Sequence, residues 1–215
     1  MSKKYNRTLH LPWSAGKGSD DKVAFDVSTL LAQPIVITEK IDGSNCCIEH
    51  DNVYARTHSH TPTHKSFDHI KAFHSSIKHL LPTKCQFFGE NAFALHSISY
   101  NELPGYFLLF GIRTNGIWLS WEGVCEWAEA LGVPTVPVLW KGTIYLEKEL
   151  EALTTQLMLG KSLCGGEKEG IVVRVAGHFN DKDFSNSVMK QVRANHITTD
   201  DHWSHREIIR NGLRK

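Results

Sequence analysis

The sequence predicts an α+β fold with largely antiparallel sheets. Runs rich in β-branched residues outnumber runs with helical spacing. The two kinds do not alternate regularly, as a parallel α/β chain would have them. Neighbouring strand-like runs are joined by short turn signals of the DG, DN and NG kind.

Taken in order, PIVITEK (34–40) and NVYARTH (52–58) read as strands separated by the turn signals DGSN and EHDN. In SFDHIKAFHSSIKHLLP the period changes: Phe67, Ile70, Phe73, Ile77, Leu80 and Leu81 recur at helical spacing, with Ser66 as the N-cap and Pro82 as the stop. QFFGENAF (86–93), YFLLFGIR (106–113) and GIWLS (116–120) return to strand character, the last two joined by TNG as a hairpin. WEGVCEWAEALG (121–132) and EKELEALTTQLM (147–158) read as helices, the first closed by Gly132. EGIVVRVA (169–176) and SVMKQVR (187–193) are strands divided by the polar loop GHFNDKDFSN. Repeats, low-complexity segments and linkers are lacking, so one domain is expected.

A chain of 215 residues with 41% hydrophobic and 22% charged residues has the composition of an ordinary soluble globular protein. The formal charge of +1 does not announce a nucleic-acid binder and leaves any such role to a local basic surface. The five cysteines (Cys46, Cys47, Cys85, Cys125, Cys164) form no C-x-x-C pair. That argues for a reducing compartment and against a disulfide framework or a cysteine zinc site. The N-terminus lacks an apolar signal core and no window approaches about 18 apolar residues. A cytoplasmic protein without membrane contact is expected.

The stretch VITEKIDGSNCCIEH (36–50) places Lys40 at the end of an apolar run, just before an acid and a glycine. A plain hairpin with a solvated lysine is one reading. A nucleophilic lysine is the other, and it needs help, because an ordinary amine with a pKa near 10.4 is neutral in only about one molecule in a thousand at pH 7. If phosphorus is the target, the site also needs cations for phosphate oxygens and carboxylates for a metal and a sugar. Arg56, Glu90, Glu169 and Lys190 are such charges, each set within an apolar run.

EKIDGSN, YARTHS, FFGENAF, YFLLFGIR, EGIVVRV and VMKQVR follow one another in an order that resembles the motifs of ATP-dependent ligases and RNA capping enzymes, and most of all those of the RNA ligase 2-like family. HLPWSAG and RANHITTDDHW also look like segments of compact RNA ligases. The resemblance spans roughly residues 5–205. It implies a nucleotidyltransferase (ligase adenylation) domain with antiparallel sheets flanked by helices, over residues 1–195. Residues 196–215 would be a short C-terminal tail with no separate C-terminal domain.

The same resemblance implies ATP and Mg²⁺ or Mn²⁺ as cofactors and RNA ends, in a nicked duplex, as partners. Lys40 would form the lysyl-AMP adduct and Glu39 would read the adenine edge, unless it is a simple strand-end acid. Asp42 and Gly43 complete the core motif, and Asn45 would lie near the sugar and phosphate. Arg56 would hold the ribose and the 5′-phosphate, and Glu90 would accept from ribose hydroxyls. Phe110 would stack on adenine, with Phe107 as an alternative on the same face, and Val172 would cover the opposite side. Glu169 would orient the metal's water shell while holding the Lys40 ammonium beforehand, and Lys190 would meet the α-phosphate. Many relatives have K-x-K in the last motif; here Val192 takes the second lysine position and Arg193 follows, its role open. A DNA ligase, a capping guanylyltransferase or a non-catalytic nucleic-acid-binding module of the same fold are the alternatives.

THSHTPTH brings His58, His60 and His64 together in sequence, with His58 and His60 on one strand face. A zinc site there would need a fourth ligand or an open position, so the histidines are read as solvated or phosphate-facing.

Overall fold

A computed structural model describes residues 3–18, 20–194 and 207–215. Eleven strands among them form two sheets. The strands are β1 (Leu9–His10), β2 (Pro34–Lys40), β3 (Ser44–Ile48), β4 (Val53–Ala55), β5 (Cys85–Asn91), β6 (Phe107–Thr114), β7 (Ile117–Trp118), β8 (Val138–Thr143), β9 (Gly170–Val175), β10 (Phe179–Asn180) and β11 (Val188–Val192). One sheet runs β1-β11-β9-β2-β8 and the other β10-β7-β6-β5-β3-β4. Every pairing is antiparallel except that of β1 with β11.

The helices are α1 (Asp68–Ile77), α2 (Trp121–Leu131), α3 (Glu147–Met158) and the short α4 (Phe184–Ser187). Helix α2 packs against β6, α3 against β9, and α4 against β11. Ser120 caps α2 by accepting from the amide of Gly123, and Gly132 closes it in the left-handed conformation at φ 66°. The TNG hairpin forms as expected, with Asn115 and Gly116 both at positive φ, 49° and 78°.

Period two along the strands separates core from cleft. On β2, Ile35 and Ile37 are fully buried in a cluster with Ile171 and Val173 of β9 and Leu150 of α3. Thr38 and Lys40 point the other way, as do Val172, Arg174 and Lys190 on the neighbouring strands, and all five line a cleft.

Several elements differ from the sequence expectation. Strand β3 lies where turn residues crowd its flanks and hide a five-residue strand. The second expected strand ends at Ala55, so Arg56 and His58 belong to a turn. Ser66 does not cap α1: it lies inside a preceding 3₁₀ turn whose own cap is His64, whose ring accepts from the Ser66 amide. The loop 177–186 contains β10 and the start of α4. Strands β1 and β8 are additions at the sheet edges; β1 is two residues long and exists through its partner β11.

Residues 207–215 dock onto the domain. The Asn211 side chain is buried, donates to the carbonyls of Ala92 (2.9 Å) and Ala94 (3.3 Å), and accepts from the amide of Tyr100 (2.9 Å). Most of RANHITTDDHW lies outside the described residues.

The His69 ring of α1 stacks on Phe93, with centroids 4.6 Å apart. Burial lowers its pKa from 6.5 to about 4. The unfolded chain therefore binds a proton there first, and His69 withdraws stability as pH falls from about 6.5 to about 4. Between pH 7 and pH 4.5 the wild type is expected to lose on the order of 1–2 kcal/mol more than His69→Phe, as read from urea unfolding. Parallel losses in both proteins would refute this.

Candidate active site

A cleft of about 580 Å³ opens between the two sheets, within the range that holds a nucleotide-sized ligand. Strand β2 delivers Lys40 to it, and the chain then crosses through Ile41–Gly43 into β3 of the other sheet. Gly43 is required by close approach: a Cβ there would stand 2.6 Å from the carbonyl oxygen of Asn91. Lys40 is paired across the sheet with Gly170, which sets Glu169 beside it. Lys40 Nζ donates to both oxygens of Glu169, at 2.6 and 2.7 Å.

This pair sets the protonation of the lysine. Burial pushes the Lys40 pKa down, but Glu169, Glu90 and Asp42 together outweigh burial and raise it above 10.5. Lys40 is thus held as an ammonium. Glu90 is pushed up to about 8, chiefly by burial against the opposing pull of Lys40, and Glu169 and Asp42 add to the rise.

The remaining candidates come from both sheets. Asn45 faces Glu90 across β3 and β5, and both line the cleft. The Oδ1 of Asn45 and the Oε1 of Glu39 are buried and have no hydrogen-bond partner among the described residues. Glu39 is not an exposed strand-end acid: it is 1% exposed, and its other oxygen accepts from the amide of Leu163 at 2.9 Å. Burial raises its pKa. Phe110 and Val172 line the cleft from opposite sheets. Phe107 does not share the face of Phe110; three positions away, it packs into the other cluster, against Phe73.

Arg56 lies exposed in the turn after β4, at the cleft. Lys190 also lines the cleft, 3.6 Å from Asp21; its pKa is lowered by burial, with Lys40 and Arg56 adding to the effect. Asp42 is turned away, and its Oδ2 accepts from the amides of Ser97 (2.8 Å) and Ile98 (2.9 Å), anchoring the loop beside the lysine. Arg193 follows the end of β11 and pairs with Glu167, so it does not supply the cation missing at Val192, which is buried.

Sequence reasoning missed the N-terminal arm. Tyr5 lies between the sheets with its ring 5.1 Å from Phe110 and from Phe184, and Tyr5, Arg7 and Thr8 all line the cleft. The only signal was an aromatic among charged residues, which periodicity does not weigh. Arg174 was read as part of a strand only. It is buried in the cleft wall, where it donates to the carbonyls of Leu119 (2.7 Å) and Phe110 (3.3 Å).

The sequence profile of the family described as RNA ligase matches residues 33–192. No curated protein matches the sequence itself. Among solved structures, the fold is similar to a Naegleria gruberi RNA ligase mutant determined with ATP and Mn, at 17% identity and TM-score 0.56, covering 81% of this chain and 54% of that one. An archaeal ATP-dependent RNA ligase is similar at 13% identity and TM-score 0.58, with 91% and 49% covered. A putative ATP-dependent DNA ligase from Aquifex aeolicus is similar at 18% identity and TM-score 0.55, with 90% and 50% covered. The chain thus spans about half the length of these structures. The likeness is one of fold, over antiparallel sheets with few helices in this chain.

Proposed function

The chain belongs to the RNA ligase family, and from that premise we propose that it joins RNA 5′-phosphate and 3′-OH ends at the expense of ATP. The observation that carries this reading is Lys40 at a nucleotide-sized cleft, held as an ammonium by the paired oxygens of Glu169. The Lys40 amine, once deprotonated, attacks the α-phosphorus; the nitrogen–phosphorus bond forms as the bond to pyrophosphate breaks. AMP then passes to a 5′-phosphate, and a 3′-OH displaces it to close the phosphodiester.

The other residues divide the nucleotide between them. The unpartnered Oε1 of Glu39 accepts from the adenine amine, and Phe110 and Val172 cover the two faces of the base. Asn45, Glu90 and Arg56 hold the sugar, with Arg56 extending its fork of donors to the 5′-phosphate. Lys190 meets the α-phosphate, and Asp42 keeps the turn after Lys40 in place. The Glu169 carboxylate, its two oxygens beside Lys40, suits a hard divalent cation such as Mg²⁺ or Mn²⁺. Such a cation, held there, supplies neutralisation of phosphate charge. Residues 1–195 are proposed as the nucleotidyltransferase domain. The five cysteines, none of them in a disulfide, fit a reducing cytoplasm, and no helix among the described residues is long and apolar enough to cross a membrane.

Incubation with ATP labelled at the α-phosphorus and a divalent metal, followed by denaturing electrophoresis, is expected to give a covalently labelled chain. Absence of label at every metal tested would overturn the ligase reading. Matched 5′-phosphorylated nicks then address the substrate. We expect faster sealing when the 3′-OH strand is RNA, through contacts to the 2′-OH and A-form geometry. Sealing should be modest and fall as salt rises, because a formal charge of +1 leaves binding to a local basic surface around Arg56 and Lys190. Equal or faster sealing of an all-DNA nick would favour a DNA ligase.

A further inference from the structure

Away from Lys40, the β3–β4 hairpin gathers three side chains of a different chemistry. Cys47 lies within β3, Glu49 follows two residues later at its end, and His58 comes from the turn after β4. One ligand atom from each, the Cys47 Sγ, a Glu49 oxygen and a His58 ring nitrogen, lie within 4.8 Å of one another. We propose that these three residues bind a zinc ion, with water as the fourth ligand.

Thiolate, imidazole and carboxylate together are a zinc donor set. A thiolate and a carboxylate also balance the double charge of the ion. Tetrahedral coordination asks the ligand atoms to stand about 3.5 Å apart, so rotation of half-buried side chains by roughly an ångström closes the site. Cys47 is fully buried, whereas Glu49 and His58 are half-buried and give the ion a way in.

Two features orient the ligands. The Gln86 amide donates to Glu49 Oε1 at 2.6 Å and is itself gripped by Arg113, the kind of outer contact that fixes a metal-bound carboxylate. The Arg113 charge is balanced by Asp181 at 2.9 Å. The His58 ring stacks on Tyr54, with centroids 4.9 Å apart and planes at 12°. The backbone of His58 is left-handed, at φ 52°, a conformation uncommon for a non-glycine residue.

The sequence argued against a cysteine zinc site because C-x-x-C is absent. The folded chain reaches the ligand set instead through Cys47-x-Glu49 and His58, nine residues beyond Glu49, in the turn after β4. His58 also closes that turn, its amide donating to the carbonyl of Ala55 at 3.0 Å, and Arg56 lies inside it. A bound ion would therefore hold the segment that presents Arg56 to the cleft.

The test is titration of the reduced, chelator-treated full chain with Co²⁺, read by absorption. One equivalent is expected to produce a thiolate-to-cobalt band that Zn²⁺ then displaces. Cys47→Ser is expected to abolish the band, and His58→Ala to weaken Co²⁺ affinity at least about tenfold. Cys125→Ser, which alters a thiol on α2, should leave both unchanged. Absence of the band in the wild type, its survival in Cys47→Ser, or unaltered affinity in His58→Ala would overturn the site. Should circular dichroism show Cys47→Ser to be unfolded, His58→Ala and Glu49→Gln decide the question at the half-buried positions.

Discussion

Lys40→Arg is expected to yield a folded protein that takes no AMP from ATP. The guanidinium spreads its lone pairs over a plane and stays protonated, so it cannot attack phosphorus. It does keep a positive charge beside Glu169, Glu90 and Asp42, the groups that raise the lysine's pKa. Removing that charge would leave buried carboxylates uncompensated, a more damaging change than losing the nucleophile alone. The arginine variant therefore separates chemistry from stability better than Lys40→Ala. Mass spectrometry of the protein after incubation with ATP and Mg²⁺ should find AMP on Lys40 of the wild type and none on the variant. A normal adduct on a folded Lys40→Ala protein would sink the assignment.

Much of this site was legible because its residues break a pattern. Lys40, Glu90 and Lys190 sit in apolar strands, and each is the half-buried member among buried neighbours. A charge in such a run has to face something other than the core, and here the cleft is what it faces. The ion pair of Lys40 with Glu169 was also foreseeable from the chemistry, since a strand-end lysine awaiting deprotonation wants a carboxylate. What could not be read were contacts set by tertiary approach. Tyr5 enters the cleft from a segment with no strand or helix period, and β1 exists through two residues paired to β11. Asp42 was read as part of the core motif beside the nucleophile, and its carboxylate is turned to the amides of Ser97 and Ile98, some fifty residues along the chain. Strand β3 escaped because its flanks, DG and HDN, are turn residues, and local turn chemistry outweighed five residues of strand. His58 was misplaced for a related reason: the run VYARTH alternates well enough to read as one strand, while the backbone turns after Ala55.

Glu169→Gln is expected to separate two duties that one carboxylate carries here. If Glu169 only restrains Lys40, its loss should speed adenylylation: Glu169 leads the groups that raise the lysine's pKa, and burial, the largest opposing influence, would then push it down. If Glu169 also organises the charge around the phosphates, adenylylation should slow by about a hundredfold or more despite the more nucleophilic amine, as removal of a preorganised charge at phosphoryl transfer does. We expect the second outcome in the enzyme and the first in the lysine. An acylating reagent that attacks only neutral amines should modify Lys40 of Glu169→Gln faster than Lys40 of the wild type at the same pH, with the site read by peptide mass spectrometry. Adduct formation from ATP, measured on the same protein in single turnover, should meanwhile fall. Glutamine preserves the shape and a hydrogen bond to Nζ, so the fold is expected to stay intact. A rise in both rates would reduce Glu169 to a latch on the lysine. A fall in adenylylation with no gain in acylation would mean that the Lys40 ammonium is held by Glu90 and Asp42 instead.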